Sequence, residues 1–158
     1  MSTPLDIIEN VADQHDWASD RIAHDELIIE VSGRWCDYSM GFIWNVGLQC
    51  LYFRCTLDMK IPANSYLKAI ELIAKINSEL TLGHFAVDKE QQYVNFYYTM
   101  LLSGYVDQVP ANQQIDDLVT ICLRECERFY PAIQYVLWAG KEPQEALQMS
   151  LIETAGEA

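Results

Sequence analysis

Cations are scarce in this chain: 10 lysines and arginines stand against 23 aspartates and glutamates, giving a formal net charge of −13. A field of that sign repels phosphate backbones and anionic membrane surfaces, so neither nucleic acid nor membrane is an expected partner. The charge keeps a half-apolar chain soluble, or steers a basic partner onto it. Long apolar runs are missing as well. None approaches the ~18–20 residues of a membrane span, and Asp6 and Glu9 interrupt the N-terminus where a secretory leader would be apolar. Glycine is limited to seven scattered residues, too dispersed for a phosphate-cradling loop, a dinucleotide fingerprint or a GxSxG elbow. The five cysteines are an odd number, which fits free thiols in a reducing cytoplasm better than a disulfide framework.

What the chain does have is a clear succession of hydrophobic periods. Thr3-Pro4-Leu5-Asp6 reads as a helix start, with a hydroxyl cap, proline in the first turn and an acid at the positive end. Leu5, Ile8, Val11, Ala12 and His15 follow at helical spacing, and Trp17 closes that helix. Alternation then takes over. Leu27, Ile29 and Val31 mark one strand, Cys36, Tyr38, Met40, Phe42 and Trp44 a second, and Leu51, Phe53, Cys55, Leu57 and Met59 a third. Their alternates are mostly polar, as expected for an antiparallel sheet covered on one side.

Pro62 ends this segment, and a helical stripe from Tyr66 through Ile73 to Leu80 runs to a C-cap at Gly83. Strands around His84–Asp88 and Tyr93–Leu102 follow. Asn112 is placed to cap a long helix, which Pro131 is expected to break, and Pro143 begins a last short one. Residues 1–158 therefore read as one α+β domain, a five-stranded antiparallel sheet with helices packed on one face. The other face is expected to carry Tyr52, Arg54 and Trp35, an aromatic and charged mixture common at protein contacts.

Catalytic chemistry finds little support. The histidines His15, His24 and His84 lie after a helix stripe, in an acidic loop and in a turn, with no serine or cysteine patterned as a partner nucleophile. The adjacent acids Asp116 and Asp117 fall in a helix's first turn, where they complement its dipole. Cys122 and Cys126 share one helix face and could contribute to a metal site. They lie in an apolar stripe with Leu118 and Val119, however, and read as small core hydrophobes. Cys36 and Cys55 take inward parities, and Cys50 is expected to be the exposed thiol. Glu125 and Arg128 are spaced for a solvated ion pair. No catalytic residue, metal site or cofactor is assigned.

Four runs carry a family likeness: Gly33-Arg34-Trp35-Cys36-Asp37-Tyr38, Leu82-Gly83-His84-Phe85, Glu125-Cys126-Glu127-Arg128-Phe129-Tyr130-Pro131-Ala132, and Val136-Leu137-Trp138-Ala139-Gly140-Lys141. With them, residues from about Leu5 to Gly156 resemble the YbjN-domain proteins of bacteria. That resemblance implies an αβββαββα fold similar to type III secretion chaperones, and a family described as sensory-transduction regulators or chaperone-like proteins. It implies no catalytic residues. Secretion chaperones of this topology dimerise and wrap an extended client, an analogy from fold alone. The expectation is thus a cytoplasmic, non-catalytic protein-binding module acting as a homodimer. A cysteine-based metal or redox sensor, or an enzyme of another type, is the alternative. Replacing Trp35 with alanine is expected to weaken partner capture and spare the fold.

Overall fold

The computed structural model describes residues 3–88, 90–104 and 110–155, with side chains through residue 152. Its elements run α1 (Pro4–Gln14), β1 (Ala18–Ala23), β2 (Glu26–Ser32), β3 (Asp37–Asn45), β4 (Cys50–Lys60), α2 (Tyr66–Asn77), β5 (His84–Val87), β6 (Tyr93–Leu101), α3 (Asn112–Ala139) and α4 (Pro143–Ala155). The strands form one antiparallel sheet in the order β1-β2-β3-β4-β6-β5. The expected α+β architecture is present. The strand count is six, not five.

The additional strand, β1, is exposed at every position, so it carries no burial alternation that a sequence could reveal. Backbone pairing to β2 holds one edge of it. Its Arg21 donates through Nε to Glu9 Oε1 at 2.7 Å and through a terminal nitrogen to Asp6 Oδ1 at 2.9 Å. Asp6 also accepts the Thr3 backbone N–H at 2.8 Å. That bond, followed by Arg21, holds its carboxyl below the usual carboxylate range. The one cation of the first thirty residues is thus what ties the edge strand to α1.

Inward parities behave as the alternation requires. Leu27, Ile29, Tyr38, Met40, Phe42, Leu51, Phe53, Cys55, Leu57 and Phe96 are all buried, and α1 and α3 close over them with Ile8, Val11, Ile115, Val119 and Cys122. The α2 helix ends at Asn77, short of the expected cap. Gly83 instead makes the turn into β5 with φ +72°, and a Cβ there would lie 2.3 Å from the Phe96 ring. At the start of α3 the cap position is Ala111, not Asn112, and the Gln114 side chain accepts the Ala111 N–H at 2.8 Å.

Pro131 does not break α3, which runs unbroken from Asn112 to Ala139. A proline in mid-helix removes the N–H that would serve the carbonyl four residues earlier, here Glu127. The indole N–H of Trp35 supplies the missing donor at 3.3 Å, and the next carbonyl, Arg128, accepts the Ser150 hydroxyl of α4 at 3.2 Å. The helix survives its proline because neighbouring elements satisfy the carbonyls around it.

Candidate functional site

Two regions of the molecule gather the residues that stand out in the sequence, and they have different characters. The first is a clasp between the β2–β3 connection and α3. Glu127 accepts the Arg34 backbone N–H at 2.5 Å on Oε1 and the Tyr38 hydroxyl at 2.9 Å on Oε2. Burial first, then this bond and the carboxylate's charge, push the Tyr38 phenol far above its ordinary range. Trp35 stacks on Tyr130 at 6.0 Å and 3°, under the Arg34 guanidinium at 4.9 Å. A Cβ on Gly33 would lie 2.2 Å from the Tyr38 ring and 3.0 Å from Glu127, so only glycine permits this approach. The Gly33–Tyr38 run and the Glu125–Ala132 run are two halves of one structural junction.

This corrects the expectation for Trp35. It is not on the open face of the sheet but on the helical side, half-buried against the core. Parity failed there because Trp35 precedes β3 and lies in an irregular connection, where alternation has no meaning.

The second region is the open face. The register places Asp20, Ile28, Gly41, Arg54, Tyr97 and His84 in one row across the six strands. Glu26, Ile43, Tyr52 and Thr99 make the adjoining row. Around Gly41 these rows enclose a shallow, mainly apolar depression of ≈ 200 Å³, with Glu26, Ile43, Tyr52, Arg54, Tyr97 and Thr99 around it. Gly41 explains the hollow: a Cβ there would meet only the Arg54 carbonyl oxygen, at 3.9 Å. Glycine inside a strand weakens it and often marks close approach by another group.

Tyr52 and Arg54 are where the alternation placed them, exposed and on this face. Arg54 has no ion pair or side-chain hydrogen bond among the described residues. Tyr97 is fixed by stacking on His84, 5.5 Å away at 23°, and by the Asn95 amide, which donates to its hydroxyl at 3.0 Å. His84 is therefore a residue of the sheet face, at the start of β5, rather than of a turn. Ile43 and Tyr52 are each 38% exposed, and Val46, Leu48 and Leu101 extend the apolar surface toward the β3–β4 turn. Cys50 takes the outward parity but is buried, opposite Leu101 and beside Tyr52, contrary to the expectation of an exposed thiol. Its thiol is the main influence raising the Tyr52 phenol. The sequence did not point to Gly41, Ile43, Tyr97 or Glu26, because only strand register assembles them.

On α3 the Glu125–Arg128 ion pair forms at 3.6 Å, and Arg128 also reaches Glu79 at 3.2 Å. No described helix is long and apolar enough to cross a membrane.

The fold class is α+β, an antiparallel sheet with the helices on one side of it. Residues 4–135 match the family model for YbjN, described as "Putative bacterial sensory transduction regulator". The chain belongs to the YbjN family. Among solved structures it is similar to the crystal structure of YbjN, a putative transcription regulator from E. coli, at 9% identity and TM-score 0.49, covering 81% of this chain and 94% of that one. It is also similar to the ExsC–ExsE complex, at 10% identity and TM-score 0.46, covering 88% and 99% respectively. No curated protein matches the chain.

Proposed function

We propose that this protein is a non-catalytic, protein-binding regulatory module, that it acts as a homodimer, and that the open sheet face is the surface on which its two protomers meet. The observation that carries the reading is the depression around Gly41, an apolar hollow in the middle of a sheet face that no described helix covers, with an arginine at its edge that has no partner among the described residues. Tyrosine and arginine beside a desolvated pocket are the residue types that dominate binding energy at protein contacts. The patch is also self-complementary in charge, since Glu26 and Arg54 both line it. In a two-fold pairing, Glu26 of one protomer would face Arg54 of its partner and the reverse. All five cysteines are free thiols, and we place the protein in the cytoplasm, where thiols stay reduced.

Light scattering is expected to report about twice the chain mass at micromolar concentration. Arg54→Glu should weaken self-association at least tenfold, about 1.4 kcal/mol, and adding Glu26→Arg should restore it by exchanging the signs. A clean monomer, or a dimer indifferent to Arg54→Glu, would remove the open face from the account.

Gly41→Val gives an independent check. Its side chain fits the open space and raises strand propensity, so stability is expected to hold or rise by about 0.5–1 kcal/mol. Filling the hollow should still abolish association. A valine variant that associates like the wild type would show that the hollow is not a binding feature.

A further inference from the structure

Three of the five thiols converge inside the core, although they come from distant parts of the chain. Cys55 projects from the inner parity of β4, while Cys122 and Cys126 lie one turn apart on α3. Cys122 and Cys126 are 3.9 Å apart at sulfur, Cys126 and Cys55 4.0 Å apart, and all three sulfurs lie within 4.8 Å of one another. None of the three residues is exposed. Met40 stands directly opposite Cys55 on the inner face of β3.

Apolar packing accounts for one buried cysteine at a time. It gives no reason for three sulfurs to meet at one point. With two edges of 3.9 and 4.0 Å and a third of up to 4.8 Å, an ion equidistant from the three sulfurs would lie about 2.3–2.5 Å from each, close to the ~2.3 Å of a zinc–thiolate bond. The third edge closes as the side chains turn toward a bound ion. The donor set is purely sulfur, which selects soft metals. A structural zinc site requires four ligands, and among the described residues this metal-ligating cluster has three members.

We propose that Cys55, Cys122 and Cys126 form a three-sulfur site for a soft, monovalent, closed-shell metal ion, of which copper(I) is the biological representative. Such an ion accepts three sulfur donors without needing water or oxygen in a dry core. Two thiolates and one thiol bind it with the release of two protons, so the complex carries a single negative charge. That is the smaller burden in a site where buried charge is costly. The site is separate from the open face and does not depend on the binding role proposed for it.

The test uses the full chain, reduced and under anaerobic conditions, with copper(I) supplied against the chromogenic chelator bicinchoninate. The chain is expected to withdraw one equivalent, and X-ray absorption should count three sulfurs at about 2.3 Å. Cys122→Ala and Cys126→Ala should each weaken binding by more than the roughly 10–100-fold that follows loss of an outer-shell partner. Cys50→Ala should leave binding unchanged. Failure to withdraw copper, an unaffected Cys126→Ala variant, or oxygen and nitrogen scatterers in place of three sulfurs would each overturn the site. The sulfur count is made on the wild-type chain and stands whether or not a variant folds.

Discussion

Trp35→Ala is expected to lower the free energy of unfolding by about 2–4 kcal/mol, the effect of a structural residue rather than a recognition residue. Truncating a core tryptophan costs roughly 3–5 kcal/mol, and the half-burial of Trp35 sets the expectation somewhat lower. Three contributions are lost together. The stack on Tyr130 and the cation–π contact with Arg34 disappear, and the Glu127 carbonyl, already without a helical donor because of Pro131, loses its substitute. Trp35→Phe separates these effects. It keeps a ring to stack but has no N–H, so it should cost about 1–3 kcal/mol for the unsatisfied carbonyl. Urea denaturation of the two variants beside wild type measures both. If Trp35→Ala unfolds like wild type yet fails to bind a partner, the clasp is not what holds α3, and the tryptophan belongs to recognition after all.

The clasp also shows how far the sequence could be read. Alternation between Leu27 and Met59 located the buried side of β2, β3 and β4 because one buried face imposes a period of two. The same rule placed Tyr52 and Arg54 outward. It was silent where burial is not the organising force. Ala18–Ala23 is a strand with no buried residue, held by ladder bonds and by Arg21. Pro131 looked like a break because the donor that rescues the helix comes from Trp35, 92 positions before the Glu127 carbonyl it serves. Cys50 looked exposed because parity says which face a side chain takes, not what lies over it there.

The candidate sites divide in the same way. Single residues were legible and juxtapositions were not. The hollow needs β2, β3, β4 and β6 in register before Glu26, Gly41, Arg54 and Tyr97 become neighbours. The sulfur trio needs β4 laid against α3 before Cys55 joins Cys122 and Cys126. The likeness in the Gly33–Tyr38 and Glu125–Ala132 runs turns out to have a local physical content. Those residues make a helix with an internal proline compatible with a tight loop, and their pairing across 89 to 93 positions fixes the β2–β3 connection on the helical layer. The open face is then free of that connection and available for contact.

Alkaline pH should expose the clasp through Tyr38. Its side chain is fully buried, and burial together with the bond to Glu127 raises its phenol far above the value it would have in the unfolded chain. Tyr130, the ring on which Trp35 stacks, is pushed up to about 12, mainly by burial. In the unfolded chain a tyrosine ionises near pH 10. Below that pH both states hold the proton and the contribution is fully present. Above it the unfolded state releases protons that the folded state keeps, so stability falls as pH rises, by up to about 1.4 kcal/mol per pH unit for Tyr38. Tyr38→Phe removes this titration along with the bond to Glu127. At pH 8 the phenylalanine variant should be less stable than wild type, by about 1.5–3 kcal/mol for a hydrogen bond to a charged group. By pH 11 the gap should shrink by about 1 kcal/mol, because only the wild type continues to lose stability through Tyr38. Urea midpoints for both proteins across that range give the two slopes. Parallel slopes would mean that Tyr38 ionises freely in the folded protein, and that Glu127 does not grip it as the geometry requires.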